Sequence, residues 1–219
     1  MKITQSDNPP SSTRPIRLEK ANIIPTILDP FTPLLTLNVT WKKATAELGN
    51  SVKPKKAKKQ PSIDLFDVVP SGTRSVNNDK IQLTIALTDP DAPSAQDPEW
   101  SQMCHWIATD AKLSPAGDED EFTSSSLTDV LPYKPPGPPP STGPHRYIFV
   151  ALAPLNGTTE RLNLSVPGSR KRWGFEGERA GLREWARENG LGVVGEFSQV
   201  SFVLILFFHL IGPGESFVC

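Results

Sequence analysis

Cysteine is almost missing from this chain of 219 residues. Cys104 and Cys219 are the two present, too few for a disulfide framework or a four-cysteine zinc site. That scarcity fits a reducing compartment, and the expected location is cytoplasmic. An excess of either charge is missing too. There are 23 basic and 24 acidic residues, for a net charge of −1, so no electrostatic footprint for nucleic acid is present. The longest apolar run, VSFVLILFFHLIG, covers only residues 200–212, whereas a spanning helix needs ~20 residues. It reads as a buried strand, and no stable membrane span is expected. The opening MKITQSDNPPSSTRP lacks the apolar core of a secretory signal. The N-x-S/T triplets at Asn38, Asn156 and Asn163 therefore read as chance matches. No G-x-S-x-G elbow, P-loop or H-E-x-x-H occurs, and no cofactor or metal is expected.

Proline and glycine, in contrast, are plentiful. The 23 prolines and 15 glycines exceed the usual combined share of ~12%, which favours a loop-rich, mainly β fold. Residues 1–20 are rich in Ser, Pro and charge and read as a disordered segment. Residues 21–197 make the folded domain, and 198–219 an apolar C-terminal tail. Leu35, Leu37, Val39 and Trp41 alternate as in a half-buried strand. IQLTIALTDPDAPS, SQMCHWIATDA and HRYIFVALAPL supply three more strands. The lysine-rich run at 53–59, bracketed by Pro54 and Pro61, reads as a solvated loop, with a nuclear import signal as the alternative. GDEDEFTSSS reads as an acidic, polar loop. Leu182, Trp185 and Ala186 fall on one helical face, and Gly190 is placed to end that helix.

Four residues have the chemistry of a binding site. Asp89 and Asp91 sit in TDPDAPS just past a strand, with Pro90 and Pro93 stiffening the turn. His105 lies on the next strand, and His145 follows a run of seven prolines between 132 and 144. Polar groups at strand ends beside rigid prolines are what a preformed polar pocket requires. If the four converge, the carboxylates favour protonated imidazoles. Two histidinium rings, with backbone N–H groups, then hold an anion such as phosphate. His209, inside the apolar tail, reads as structural.

LTDPDAPS, CHWIATD and GPPPSTGPHRYIFVAL, in that order, resemble the phosphatidylethanolamine-binding protein family. The stretches IIPTILDPFTPLLTLNVTW and GLREWARENGLGVVG resemble its fungal, carboxypeptidase Y inhibitor-like members. The resemblance implies a Greek-key β-sandwich with one or two short peripheral helices and a small anion pocket. It implies that Asp89, Asp91, His105, Gly137, Pro138, Pro139, His145 and Tyr147 bind the ligand, a phosphate or phospholipid headgroup. The prolines then form the rim of the pocket. It further implies a binding or regulatory role in place of catalysis, with a serine carboxypeptidase as a possible target. A hydrolase using His145 and Asp89 as an acid–base pair is the alternative. The tail after Gly195 matches nothing in the family pattern, and the further pocket tyrosine of many animal members has no counterpart among Tyr133 and Tyr147.

Overall fold

The computed structural model describes residues 18–31, 35–67, 81–113 and 127–192, together with the backbone of Ile205–Leu210. Residues 1–17 and the acidic loop lie outside the described residues. Ten strands occur among them: β1 (Leu35–Trp41), β2 (Ala44–Ala46), β3 (Asn50–Ser51), β4 (Ser62–Asp67), β5 (Leu83–Asp89), β6 (Met103–Ala111), β7 (Thr128–Leu131), β8 (His145–Pro154), β9 (Leu191–Gly192) and β10 (Ile205–Leu210). Among the described residues the longest α-helix, α1, is Leu182–Glu188.

The strands form two sheets. A small antiparallel sheet has the order β2-β1-β4, and the larger one runs β3-β10-β8-β5-β6-β7, with β9 pairing on β8. Within the larger sheet, β5, β6 and β7 are joined consecutively and β8 returns beside β5. That is the Greek-key order, fourth strand beside the first. Its long return connection is the proline-rich segment 132–144, so the prolines span the end of the sheet.

Both faces of the larger sheet are covered. Leu83, Ile85 and Leu87 of β5 and Tyr147, Phe149 and Ala151 of β8 pack on Leu35, Leu37, Val39, Ile63 and Leu65 of the small sheet. Ile148, Val150 and Leu152 face the other way, onto Ile23, Ile27 and Leu28 and onto Leu182, Trp185 and Ala186 of α1. An antiparallel sheet with one wet face alternates apolar and polar residues. Every residue of β5 is buried instead, and its sequence is accordingly apolar with small threonines up to the terminal Asp89.

The helix follows the expected face. Leu182, Trp185 and Ala186 are its buried residues, the Glu184 carboxylate accepts the Gly181 N–H at 2.7 Å, and Gly190 takes the left-handed φ of 63° that ends it. The lysine-rich loop is pinned, since Trp41 Nε1 donates to the Lys59 carbonyl at 2.8 Å and Ala57 is fully buried. At the other end of the domain, Leu18 is buried in a helical turn, so the packed body reaches at least to residue 18. Within the apolar run near the C-terminus, the described residues Ile205–Leu210 form a strand. β10 lies between β3 and β8, antiparallel to β8 from Ile205↔Val150 to Leu210↔His145.

Candidate ligand-binding site

The C-terminal end of β5 and the start of β8 meet at one end of the larger sheet, with β6 entering alongside. The register places Asp89 opposite Met103, and Thr88 opposite Ile148. Asp89, His105, His145 and Tyr147 therefore converge there, although up to 58 positions separate them in the chain. A cavity of about 190 Å³ opens between them, lined also by Ala92, Pro93, Trp100, Met103, Lys134, Pro135, Gly137 and Pro139. Six of the eight residues singled out in the sequence line it. Asp91 and Pro138 do not.

Asp89 organises the floor. Its Oδ1 accepts the Asp91 N–H at 2.8 Å, closing the D-P-D turn. Its Oδ2 accepts Nδ1–H of His145 at 2.9 Å and lies 4.0 Å from Nε2 of His105. The three rings stack around this carboxylate: His145 lies parallel to Tyr147 at 6.3 Å, and His105 meets Tyr147 edge-on at 5.2 Å.

The two histidines are not alike. Burial alone lowers the His145 pKa, but the hydrogen bond to Asp89 and the charges of Asp89 and Asp91 outweigh it and raise it above the ordinary value. At His105 burial dominates the pull of Asp89, and its pKa is lowered. The expected bias toward the charged ring is thus present at His145 and reversed at His105, which has no contacting carboxylate to offset its burial. The His105 tautomer is fixed, since Nδ1 sits 2.9 Å from the Lys134 carbonyl and donates to it. Its Nε2 is then a buried acceptor with no hydrogen-bond partner. Burial, then the Asp89 charge, push the Tyr147 phenol well above its usual range, so it stays protonated.

Thr142 was not legible as a site residue. Its hydroxyl donates to the Pro139 carbonyl at 2.8 Å and lies 3.1 Å from His145 Nε2. Both nitrogens of His145 are therefore engaged by the protein. The available signal was a hydroxyl three residues before the histidine in a proline-stiffened turn.

Asp91 has a separate task. Its carboxylate takes Nε and Nη2 of Arg146, the latter at 2.6 Å, and the Arg146 backbone N–H at 2.7 Å. Arg146 Nη1 in turn donates to the Ala21 carbonyl at 2.6 Å. H-R-Y thus splits its labour: His145 binds Asp89, Arg146 ties the turn to the N-terminal segment, and Tyr147 lines the cavity.

The wall is clamped from behind. Lys134 and His105 exchange backbone and side-chain hydrogen bonds, and Tyr133 donates to the Ala57 carbonyl at 2.8 Å. Arg170 donates to the carbonyls of Cys104, His105 and Pro132. At the mouth, the Lys171 ammonium lies 4.0 Å over the Trp100 ring. GLGVVG at 190–195 has nucleotide-loop spacing, but its first glycine ends α1, and residues 193–195 lie outside the described residues. Among the described residues no group of three or more His, Cys, Asp or Glu is arranged to hold a metal ion. None of the described helices is long and apolar enough to cross a membrane.

A buried carboxylate–imidazole floor at the open end of a Greek-key sandwich, walled by a proline crossover, defines a small-ligand binding protein. The phosphatidylethanolamine-binding protein family model matches residues 40–196, and the chain belongs to that family. It is 30% identical over 181 residues to the carboxypeptidase Y inhibitor of Saccharomyces cerevisiae, covering 75% of this chain and 82% of that one. It is 25% identical over 173 residues to FLOWERING LOCUS T of Arabidopsis thaliana, covering 79% and 82%. The fold is similar to the carboxypeptidase Y inhibitor in the crystal structure of its complex with the cognate proteinase. The TM-score there is 0.74, at 27% identity, over 95% of this chain and 99% of that one. A phosphatidylethanolamine-binding protein from Plasmodium vivax shares the fold at 16% identity, with a TM-score of 0.61 over 93% and 98%.

Proposed function

We propose that this protein is a binding and regulatory protein whose cavity takes a phosphate or phospholipid headgroup, and that it inhibits a serine carboxypeptidase. The observation that carries the first half is the preformed cavity around Asp89, His105, His145 and Tyr147, walled by Gly137 and Pro139. Lys134 at its lining supplies a positive charge toward an entering anion. Support for the second half is the 30% identity to the yeast carboxypeptidase Y inhibitor and the likeness to that protein in its proteinase complex. The N-terminal segment enters this reading as part of the inhibitory surface, because Arg146 holds it against the D-P-D turn beside the cavity.

In this reading the protein acts by binding. The cavity lining contains no Ser, Thr or Cys nucleophile, and the His145 ring has both nitrogens engaged by Asp89 and Thr142. No observation favours an acid–base hydrolase. A cytoplasmic site of action is part of the same reading, supported by the free, buried Cys104.

The test has two arms. Calorimetric titration with phosphate and phosphoethanolamine should show weak, saturable binding, since a small headgroup makes few contacts. Absence of binding at millimolar ligand would remove the headgroup role. Purified protein should inhibit a fungal serine carboxypeptidase stoichiometrically, and removal of residues 1–22 should weaken that inhibition. No inhibition at micromolar protein across several such enzymes would remove the inhibitor role.

A further inference from the structure

Seven lysines fall between positions 42 and 59, and none of them lines the cavity. The same stretch holds one acid, Glu47, and no arginine or aromatic residue, in a chain whose net charge is −1. All seven are exposed, and among the described residues none is in an ion pair. Two separate segments build one surface. Lys42 and Lys43 make the turn between β1 and β2. Lys53, Lys55, Lys56, Lys58 and Lys59 belong to the loop between β3 and β4. Trp41 Nε1 donates to the Lys59 carbonyl at 2.8 Å, which sets the hairpin turn beside the end of that loop. The loop is held in shape. The Lys56 N–H donates to the Lys53 carbonyl at 2.8 Å, and the Ala57 N–H to the Pro54 carbonyl at 3.0 Å. The Ala57 carbonyl takes the Tyr133 hydroxyl at 2.8 Å, and Val52 and Ala57 are part of the core. An import receptor that reads a basic run as extended chain would have to unfold this loop first.

We propose that this lysine surface docks the protein on an anionic lipid bilayer, as a peripheral and reversible contact. It goes beyond the function proposed above and needs no occupied cavity. Charge complementarity selects the partner. Ammonium groups are compact point charges that suit diffuse negative charge, whereas forked recognition of a single phosphate or carboxylate calls for arginine. Protein interfaces are depleted of lysine and enriched in arginine and aromatic residues. Single-stranded nucleic acid is held by bases stacked on aromatic side chains. The surface has neither arginine nor an aromatic. Clusters of about four to eight basic residues are what an anionic leaflet attracts. The apolar residues Val52 and Ala57 are buried, so the loop offers no wedge to insert among acyl chains. Attraction between charges holds the contact, and salt screens it.

The experiment sediments the full chain with vesicles of phosphatidylcholine alone, or of phosphatidylcholine mixed with phosphatidylserine, at two ionic strengths. Two paired variants separate this surface from charge in general. Lys55→Gln with Lys56→Gln removes two charges from the loop. Arg161→Gln with Arg187→Gln removes two from the opposite face of the larger sheet, where Leu162 and α1 pack. Circular dichroism checks that each variant is folded. The wild type should bind the phosphatidylserine vesicles and not those of phosphatidylcholine. Binding should weaken from ~0.01 M to ~0.15 M salt, as the screening length falls from about 30 Å to about 8 Å. The lysine pair should lose about twenty- to thirtyfold in affinity, about fivefold for each charge, while the arginine pair stays within about twofold of the wild type. No binding to phosphatidylserine vesicles at low salt would overturn the proposal and leave an acidic protein as the partner of this surface. Equal losses in the two pairs would overturn it as well, by making net charge the cause. So would binding that salt does not weaken. The cavity reading stands or falls separately, on the phosphate titration.

Discussion

Asp91→Asn offers the sharpest separation of scaffold from site. The Asp91–Arg146 pair is bidentate and nearly enclosed, with side-chain exposures of 5% and 16%. Removing one partner of a buried ion pair costs ~3–5 kcal/mol, because the other charge is left uncompensated. Water reaches the Arg146 guanidinium, so about 3 kcal/mol is the better figure here. For a domain of this size that is a fall in Tm of roughly 6–12 °C. Arg146→Met should cost as much, since it also releases the carbonyls of Ala21 and Asn22. The double variant should lose less than the sum, with a coupling of ~1–3 kcal/mol. Urea unfolding followed by circular dichroism supplies all four corners of that cycle. Phosphate affinity of folded Asp91→Asn should stay near that of the wild type, because Asp91 is not part of the cavity lining. Additive losses within ~0.5 kcal/mol would refute the ion pair as the link between turn and N-terminal segment.

The histidines predict opposite limbs of a stability–pH profile. With its pKa raised in the fold, His145 stabilises fully below the unfolded value of ~6.5 and loses that contribution as pH rises through the folded value. With its pKa lowered, His105 contributes above ~6.5 and is lost as pH falls toward its folded value. In urea midpoints from pH 5 to 9, His145→Ala should flatten the alkaline limb and spare the acid one; the reverse pattern would contradict the assignment. Gly181→Ala should cost ~1–3 kcal/mol, because an added Cβ would meet Trp173 Cδ1 at 2.8 Å and Gln102 Cβ at 3.0 Å; an unchanged melting temperature would show that Trp173 can yield. Deleting 198–219 should abolish soluble expression, since it strips β10 from between β3 and β8. Soluble, cooperatively unfolding protein after that deletion would show that the tail is dispensable.

The strands were legible where one rule governed them. Leu35 to Trp41 alternate because one face of β1 meets the core, and the face of α1 shows the helical period. The Asp89, His105 and His145 cluster was legible because each residue lies beside a stiff turn at a strand end. What the sequence could not provide was partnership across distance. Asp91 and Arg146 stand 55 positions apart, and nothing in D-P-D tells which aspartate faces the cavity and which faces an arginine. The charge of each histidine was hidden for a related reason. Its sign depends on whether burial or a contacting carboxylate dominates, and that is a property of the folded neighbourhood. Arg170 and Trp173, which brace the wall and the floor through main-chain carbonyls and Thr88, sit in a segment with no periodic pattern. Within the apolar run, Ile205–Leu210 forms a strand, but its place inside the sheet, between β3 and β8, was not expected of a tail outside the family match.

The Greek-key return that walls the cavity also sets when the cavity can exist. Gly137 and Pro139 reach the floor only after β8 has docked on β5, a pairing that joins Thr84 to Leu152 and Thr88 to Ile148. Loops of such length close late and slowly compared with local hairpins. A bound anion thus grips the finished topology and nothing before it. By mass action it adds ~2.7 kcal/mol to the folded state at a hundred times its Kd. Phosphate in the buffer should accordingly act as a pharmacological chaperone, recovering variants weakened far from the pocket, Asp91→Asn among them, in proportion to its concentration.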